Sequence, residues 1–187
     1  MKQAKQPFIA ACVVALVAAL ALTAGQAFAA TAQEIDTSVD VSLQRFHKIE
    51  GGKEFTKTAK GLLVLPNVVK GGFVFGAEYG EGALRIGGKT VDYYNIAAGS
   101  WGLQIGAQKK DIIIAFMTDQ ALKSFRESSG WEAGVDGNIA LVTVGAGAKI
   151  DTTTIKDPIV SFVFDVKGLM ADVSLKGAKF TKLDKSK

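Results

Sequence analysis

The 187-residue chain holds one cysteine, one histidine and three prolines. The cysteine is Cys12, so everything after it has no thiol for disulfides, nucleophilic catalysis or metal ligation. His47, as the single histidine, excludes a clustered histidine metal site and leaves no evident Ser–His pair. An excess of one charge is lacking too. There are 22 basic and 18 acidic residues, and without Lys2 and Lys5 the balance is 20 against 18. Such a balance gives no global field for nucleic acid, which is not an expected partner, and any positive surface must be local.

What is present begins with a leader pattern. Met1-Lys2-Gln3-Ala4-Lys5 is a short basic start, Phe8 to about Ala24 is apolar, and no charge falls between Lys5 and Glu34. Ala27-Phe28-Ala29 supplies the small-x-small pattern for cleavage after Ala29. The rival is an uncleaved membrane anchor. The apolar core is near the lower limit of roughly 17 residues for a spanning helix, and a cleavage site follows it, so removal is the expectation. Ile9-Ala10-Ala11-Cys12 resembles a lipoprotein processing box but precedes the hydrophobic region instead of closing it, which argues against lipidation. The expected organisation is a signal peptide over residues 1–29 and one domain over residues 30–187, exported and periplasmic or peripheral on an envelope membrane. A domain of this size buries about 70% of its unfolded surface, enough for a core to hold it without disulfides.

Ile35, Val39, Leu43, Phe46 and Ile49 recur at steps of three and four, one face of an amphipathic helix that Gly51-Gly52 breaks. A shorter helical stretch runs from about Lys53 to Lys60. Phe55, Ala59 and then Leu62 share one side, and Lys53, Lys57 and Lys60 the other. Strand patterns follow. Leu62 to Leu65 ends at the turn signal Pro66-Asn67, Gly72 to Tyr79 alternates, and Gly87-Gly88 reads as a two-residue hairpin turn. Trp101 to Gln108 alternates, and Ile112 to Met117 is an apolar run expected to be covered on both faces. Thr118-Asp119 opens a helix that stops near Gly130. Asn138 to Ile150 reads as a strand, and Ile159–Val166 as a hairpin with Leu169–Leu175 across Lys167-Gly168. The fold class is therefore α+β: N-terminal amphipathic helices, then a curved, barrel-like, mainly antiparallel, glycine-rich sheet with one inserted helix.

Catalytic parts are scarce. Gly87-Gly88-Lys89-Thr90 lacks the earlier glycine of a P-loop, since position 83 is Ala83, and it lies between two strands. Gly80-Glu81-Gly82 runs on to Arg85 where a dinucleotide loop needs glycine. Gly99-Ser100-Trp101-Gly102 lacks nucleophile-elbow spacing. Glu78 and Glu81 read as surface charges and His47 as a solvated surface histidine. No enzymatic reading, cofactor or metal follows.

Two basic features remain. Lys53, Lys57 and Lys60, backed by Phe55 and followed by Lys70, form a face able to lie on an anionic membrane. An ordinary surface helix with solvated lysines fits the same pattern. The tail interleaves Lys176, Lys179, Lys182, Lys185 and Lys187 with Phe180 and Leu183, and reads as a disordered, solvated end offering a secondary contact.

Several segments carry a resemblance. Ala59-Lys60-Gly61-Leu62-Leu63-Val64-Leu65-Pro66, Val69-Lys70-Gly71-Gly72-Phe73-Val74-Phe75-Gly76, Gly80-Glu81-Gly82 and Gly99-Ser100-Trp101-Gly102-Leu103-Gln104-Ile105-Gly106-Ala107-Gln108 resemble the signature of the SYLF domain. The closing run Lys167 to Gly177 is similar to that family's ending, with Met170 and Asp172 as departures. The resemblance spans roughly Ile35 to Phe180. It implies a lipid-binding module, since eukaryotic members bind phosphoinositides, partly through a basic amphipathic helix near the domain's start, and some bind actin filaments. Lys53, Lys57 and Lys60 occupy that region here. The chain has no partner domain for actin work, and its leader points to an envelope, so actin is not an expected partner. The expectation is non-catalytic binding of anionic membrane lipids. An envelope structural or protein-interaction module, with an envelope protein as partner, and a carrier of a small apolar ligand are the alternatives.

Overall fold

A computed structural model describes residues 30–72, 75–101, 106–145, 147–151, 156–168 and 174–185, and Ala32–Lys187 forms a compact unit. The expected leader, Cys12 and most of the Leu169–Leu175 strand lie outside the described residues. The chain runs α1 (Ala32–His47), α2 (Gly52–Thr58), β1 (Gly61–Gly72), β2 (Phe75–Ile86), β3 (Lys89–Trp101) and β4 (Gly106–Phe116). It continues with α3 (Asp119–Glu127), β5 (Trp131–Glu132), β6 (Ala140–Thr143), β7 (Ile159–Gly168) and β8 (Lys179–Leu183). All strands join one eight-stranded sheet in the order β5-β8-β3-β2-β1-β4-β7-β6, antiparallel except where β6 pairs β7, and it curls into a half-barrel.

The period-two alternation of the strands gives the sheet two buried faces. On the back face Leu63, Leu65, Leu84, Tyr94, Ile96, Ile112, Ile114, Phe116 and Phe180 form one core with α3. There Phe125 of α3 stacks on Phe116 and Tyr94, both at 4.8 Å between ring centroids. Thr118 caps α3, its hydroxyl accepting the Ala121 N–H at 3.2 Å, as the Thr-Asp signal predicts. On the front face α1 and α2 bring Phe46 and Phe55 onto Phe162, at 5.1 and 4.8 Å. Ile112 to Phe116 is buried throughout, because both layers meet on β4.

Four expectations are corrected. Pro66-Asn67 is not a turn: β1 runs through it as a bulge, with register shifts against both neighbours. The physical reason is that proline and a left-handed residue interrupt a ladder as readily as they end one. Asn67 sits at φ 55 and its N–H donates to Asp111 Oδ1 at 2.9 Å. Asp111 Oδ2 accepts Arg45 of α1 at 3.0 Å, and the same guanidinium reaches Asp165 at 3.3 Å, another left-handed residue beside a register shift. One arginine thus ties α1 to two strand irregularities. Lys167-Gly168 is likewise not a hairpin turn, because β7 continues through both residues, opposite Lys109 and Gln108 of β4. The strand expected from Asn138 to Ile150 is confined to Ala140–Thr143. The tail, finally, is ordered: Lys179–Leu183 is β8, between β5 and β3, with Phe180 1% exposed. By contrast Gly87-Gly88 makes the expected hairpin, with φ 57 and 79 between Ile86 and Lys89.

Candidate functional site

The basic face of α2 is positioned by its own entry and by its buried side. Gly51 turns the chain from α1 into α2 at φ 83, and a Cβ there would stand 2.1 Å from the Ile150 carbonyl oxygen, so glycine is required twice over. Phe55 is 1% exposed and meets Phe162 edge-on. This anchors the helix and turns Lys53 and Lys57 to solvent. Phe55 is therefore a core residue and not a direct lipid contact, a correction to its place in the expected site.

Helix α2 ends at Thr58, and Ala59 is extended, so Lys60 does not continue the helical spacing of Lys53 and Lys57. Its N–H donates to the Phe116 carbonyl at 2.8 Å at the mouth of β1. Its exposed ammonium lies 3.8 Å from Asp119 Oδ2. Lys48, in the α1–α2 connection, is also exposed. No periodicity marks Lys48, because it lies between two helices. Glu54 is an exposed acid on the same helix as Lys53 and Lys57.

Lys70 leaves the site altogether. It is 5% exposed on β1, opposite Glu78 and Gln108, which are themselves 5% and 2% exposed. Alternation from Leu63 and Leu65, shifted by the bulge, turns Lys70 to the back face, which sequence spacing through Pro66-Asn67 conceals. Glu78 is correspondingly not a surface charge: its Oε2 accepts Lys110 Nζ at 3.1 Å. Glu81 is half-buried and holds the Tyr79 hydroxyl at 2.8 Å and Lys185 at 3.1 Å. In the tail Lys182 pairs with Asp92 at 2.5 Å, and Lys176 and Lys179 are exposed. The tail lysines thus belong to an ordered strand and its flanks, two of them held in ion pairs.

His47 is exposed, as expected, with Nε2 3.1 Å from Thr56 Oγ1. Partial burial lowers its pKa from 6.5, Lys53 and Lys57 lower it further, and Glu54 opposes them. The neutral ring is thus favoured by folding. This small contribution to stability is present above pH 6.5 and declines as pH falls from there through the folded value. Replacing Lys53 and Lys57 with glutamate is expected to raise the His47 pKa. NMR titration reads this directly, because the chain has one histidine. An unmoved pKa would place the two lysines away from the ring.

An α+β half-barrel carrying a lysine-bearing helix on one face is the class of domain that the fold and this surface define. Residues 97–186 match the family model described as "Ysc84: Las17-binding protein actin regulator", a match that supports the SYLF-domain family. That match is consistent with a lipid-binding module, and the family is generally a non-catalytic binding domain. Actin and lipid binding are linked to relatives in the family. No curated protein matches the chain.

Proposed function

We propose that this protein is a non-catalytic module that docks on anionic phospholipid headgroups at an envelope membrane, after export and removal of residues 1–29. The observation that carries the reading is the outward display of Lys53 and Lys57 on a helix anchored by Phe55, with the exposed Lys48 and Lys60 in the segments that flank it. Basic residues near a negatively charged leaflet each contribute about 1 kcal/mol, so a cluster this small gives peripheral, salt-sensitive attachment. Among the described residues no helix is long and apolar enough to cross a membrane. The test is co-sedimentation of residues 30–187 with neutral and with anionic vesicles at low and high salt. Binding to anionic vesicles alone, weakened by salt, is the expected result. Equal binding to neutral vesicles, or none to either, would refute headgroup recognition.

A further inference from the structure

The front face of the sheet extends past the part that α1 covers. Arg85 of β2 reaches Asp36 and Asp40 of α1, which identifies the odd-numbered β2 positions as front-facing. Further along β2 exposure alternates from Phe75 to Gly80, with Phe75, Ala77 and Tyr79 on the exposed side. Register widens this surface across four strands. Val69 lies opposite Tyr79 and Gly71 opposite Ala77, while Ala97 and Gly99 flank them on β3 and Ala107 on β4. Phe75, Val69 and Tyr79 are 61, 51 and 45% exposed. Single exposed apolar residues are ordinary, but three large ones set among alanines and glycines on one sheet face make a contiguous patch of the kind that marks an interaction surface.

Charge at the margin selects the occupant. Lys109 and Lys167 are register partners on β4 and β7, both exposed, with Lys167 Nζ 3.3 Å from Asp165 Oδ2, and Lys109 is also the partner of Val69. The acid nearest to Tyr79, Glu81, is already held by Tyr79 and Lys185. An apolar centre with a basic margin complements a surface that is anionic outside and hydrocarbon within. A second copy docked face to face would instead bring like-charged margins together. Tyrosine at the edge of such a patch also suits the headgroup level, where its ring is buried and its hydroxyl hydrated.

We infer that this face is a second lipid contact, in which Phe75 and Val69 enter the headgroup–acyl boundary while Lys109 and Lys167 remain among anionic headgroups. The inference rests on the lipid-binding reading and deepens it. The α2 lysines, on the same front face, supply attraction that salt weakens, and the sheet patch supplies apolar burial that salt does not weaken.

Residues 30–187 contain no cysteine, so Phe75→Cys gives one attachment point for an environment-sensitive fluorophore. Val135→Cys, at a position 73% exposed, is the control. With vesicles of phosphatidylcholine and phosphatidylglycerol, a blue shift and brighter emission are expected at position 75 and not at 135. Val69→Ser with Phe75→Ser is expected to weaken vesicle binding at least about tenfold and to make the remainder more salt-sensitive. Vesicle binding with no shift at position 75 would overturn this inference and leave the α2 reading standing. A shift that needs no vesicles and grows with protein concentration would assign the face to a second copy and overturn it too. Absence of any vesicle binding by the unsubstituted protein would remove the lipid reading itself, and this inference with it.

Discussion

A protein carrying Lys53→Glu, Lys57→Glu and Lys60→Glu together is expected to lose at least about a hundredfold in affinity for anionic vesicles. Three basic residues at about 1 kcal/mol each account for that factor, since 1.4 kcal/mol is about tenfold, and reversal adds repulsion. The fold should be untouched, because all three side chains are exposed. Circular dichroism and the thermal midpoint check this. Single reversals should rank with Lys60 weakest, its ammonium being partly neutralised by Asp119 at 3.8 Å. High salt should erase the differences between variants as the screening length falls from about 10 Å at 0.1 M to about 3 Å at 1 M. Full binding by the triple variant, measured by co-sedimentation, would move the headgroup contact away from α2.

The second large effect lies on the back face. Lys110→Met is expected to lower the unfolding free energy by about 3–5 kcal/mol, the usual consequence of leaving one member of a buried ion pair uncompensated. The side chains of Lys110 and Glu78 are 0 and 4% exposed, and Lys110 reaches across β1 to find its partner on β2. Among the described residues Glu78 Oε1 has no hydrogen-bond partner, so removal of the lysine would take away the bond that holds Oε2 as well. Lys110→Met combined with Glu78→Leu should recover most of the loss, because well-packed apolar replacements of buried pairs are commonly neutral or stabilising. Urea denaturation of the two single variants and the double variant closes the cycle. Additive single effects would show that the two charges do not depend on one another.

Features governed by local chemistry were the legible ones. Two consecutive glycines between alternating segments specify a primed turn, and the apolar run Ile112–Met117 reads as a strand covered on both sides, as Ile112–Phe116 is. Pro66-Asn67 carries the same local chemistry whether it ends a strand or bulges one, and the choice is made by Asp111, 44 residues away. The tail read as a solvated charge run because its partner is distant in sequence: Phe180 lies opposite Ile96 on β3. The site divides in the same manner. Lys53 and Lys57 follow from helical spacing alone, whereas the burial of Lys70 depends on a bulge and on Glu78 and Gln108 of two other strands. The exposed Val69–Phe75–Tyr79 face reads from sequence as one more half of a buried alternation, since nothing local says where α1 stops covering the sheet.

The order of the strands also bears on how copies behave when crowded together. The sheet is bounded by its two shortest members, Trp131–Glu132 at one rim and Ala140–Thr143 at the other, while the strands of ten or more residues lie inside. The outermost strands themselves therefore offer a neighbouring chain only two and four residues to template on, and short edge strands are one way that sheets limit edge-to-edge association. The order of the strands thus keeps the longest members of the sheet away from its two rims.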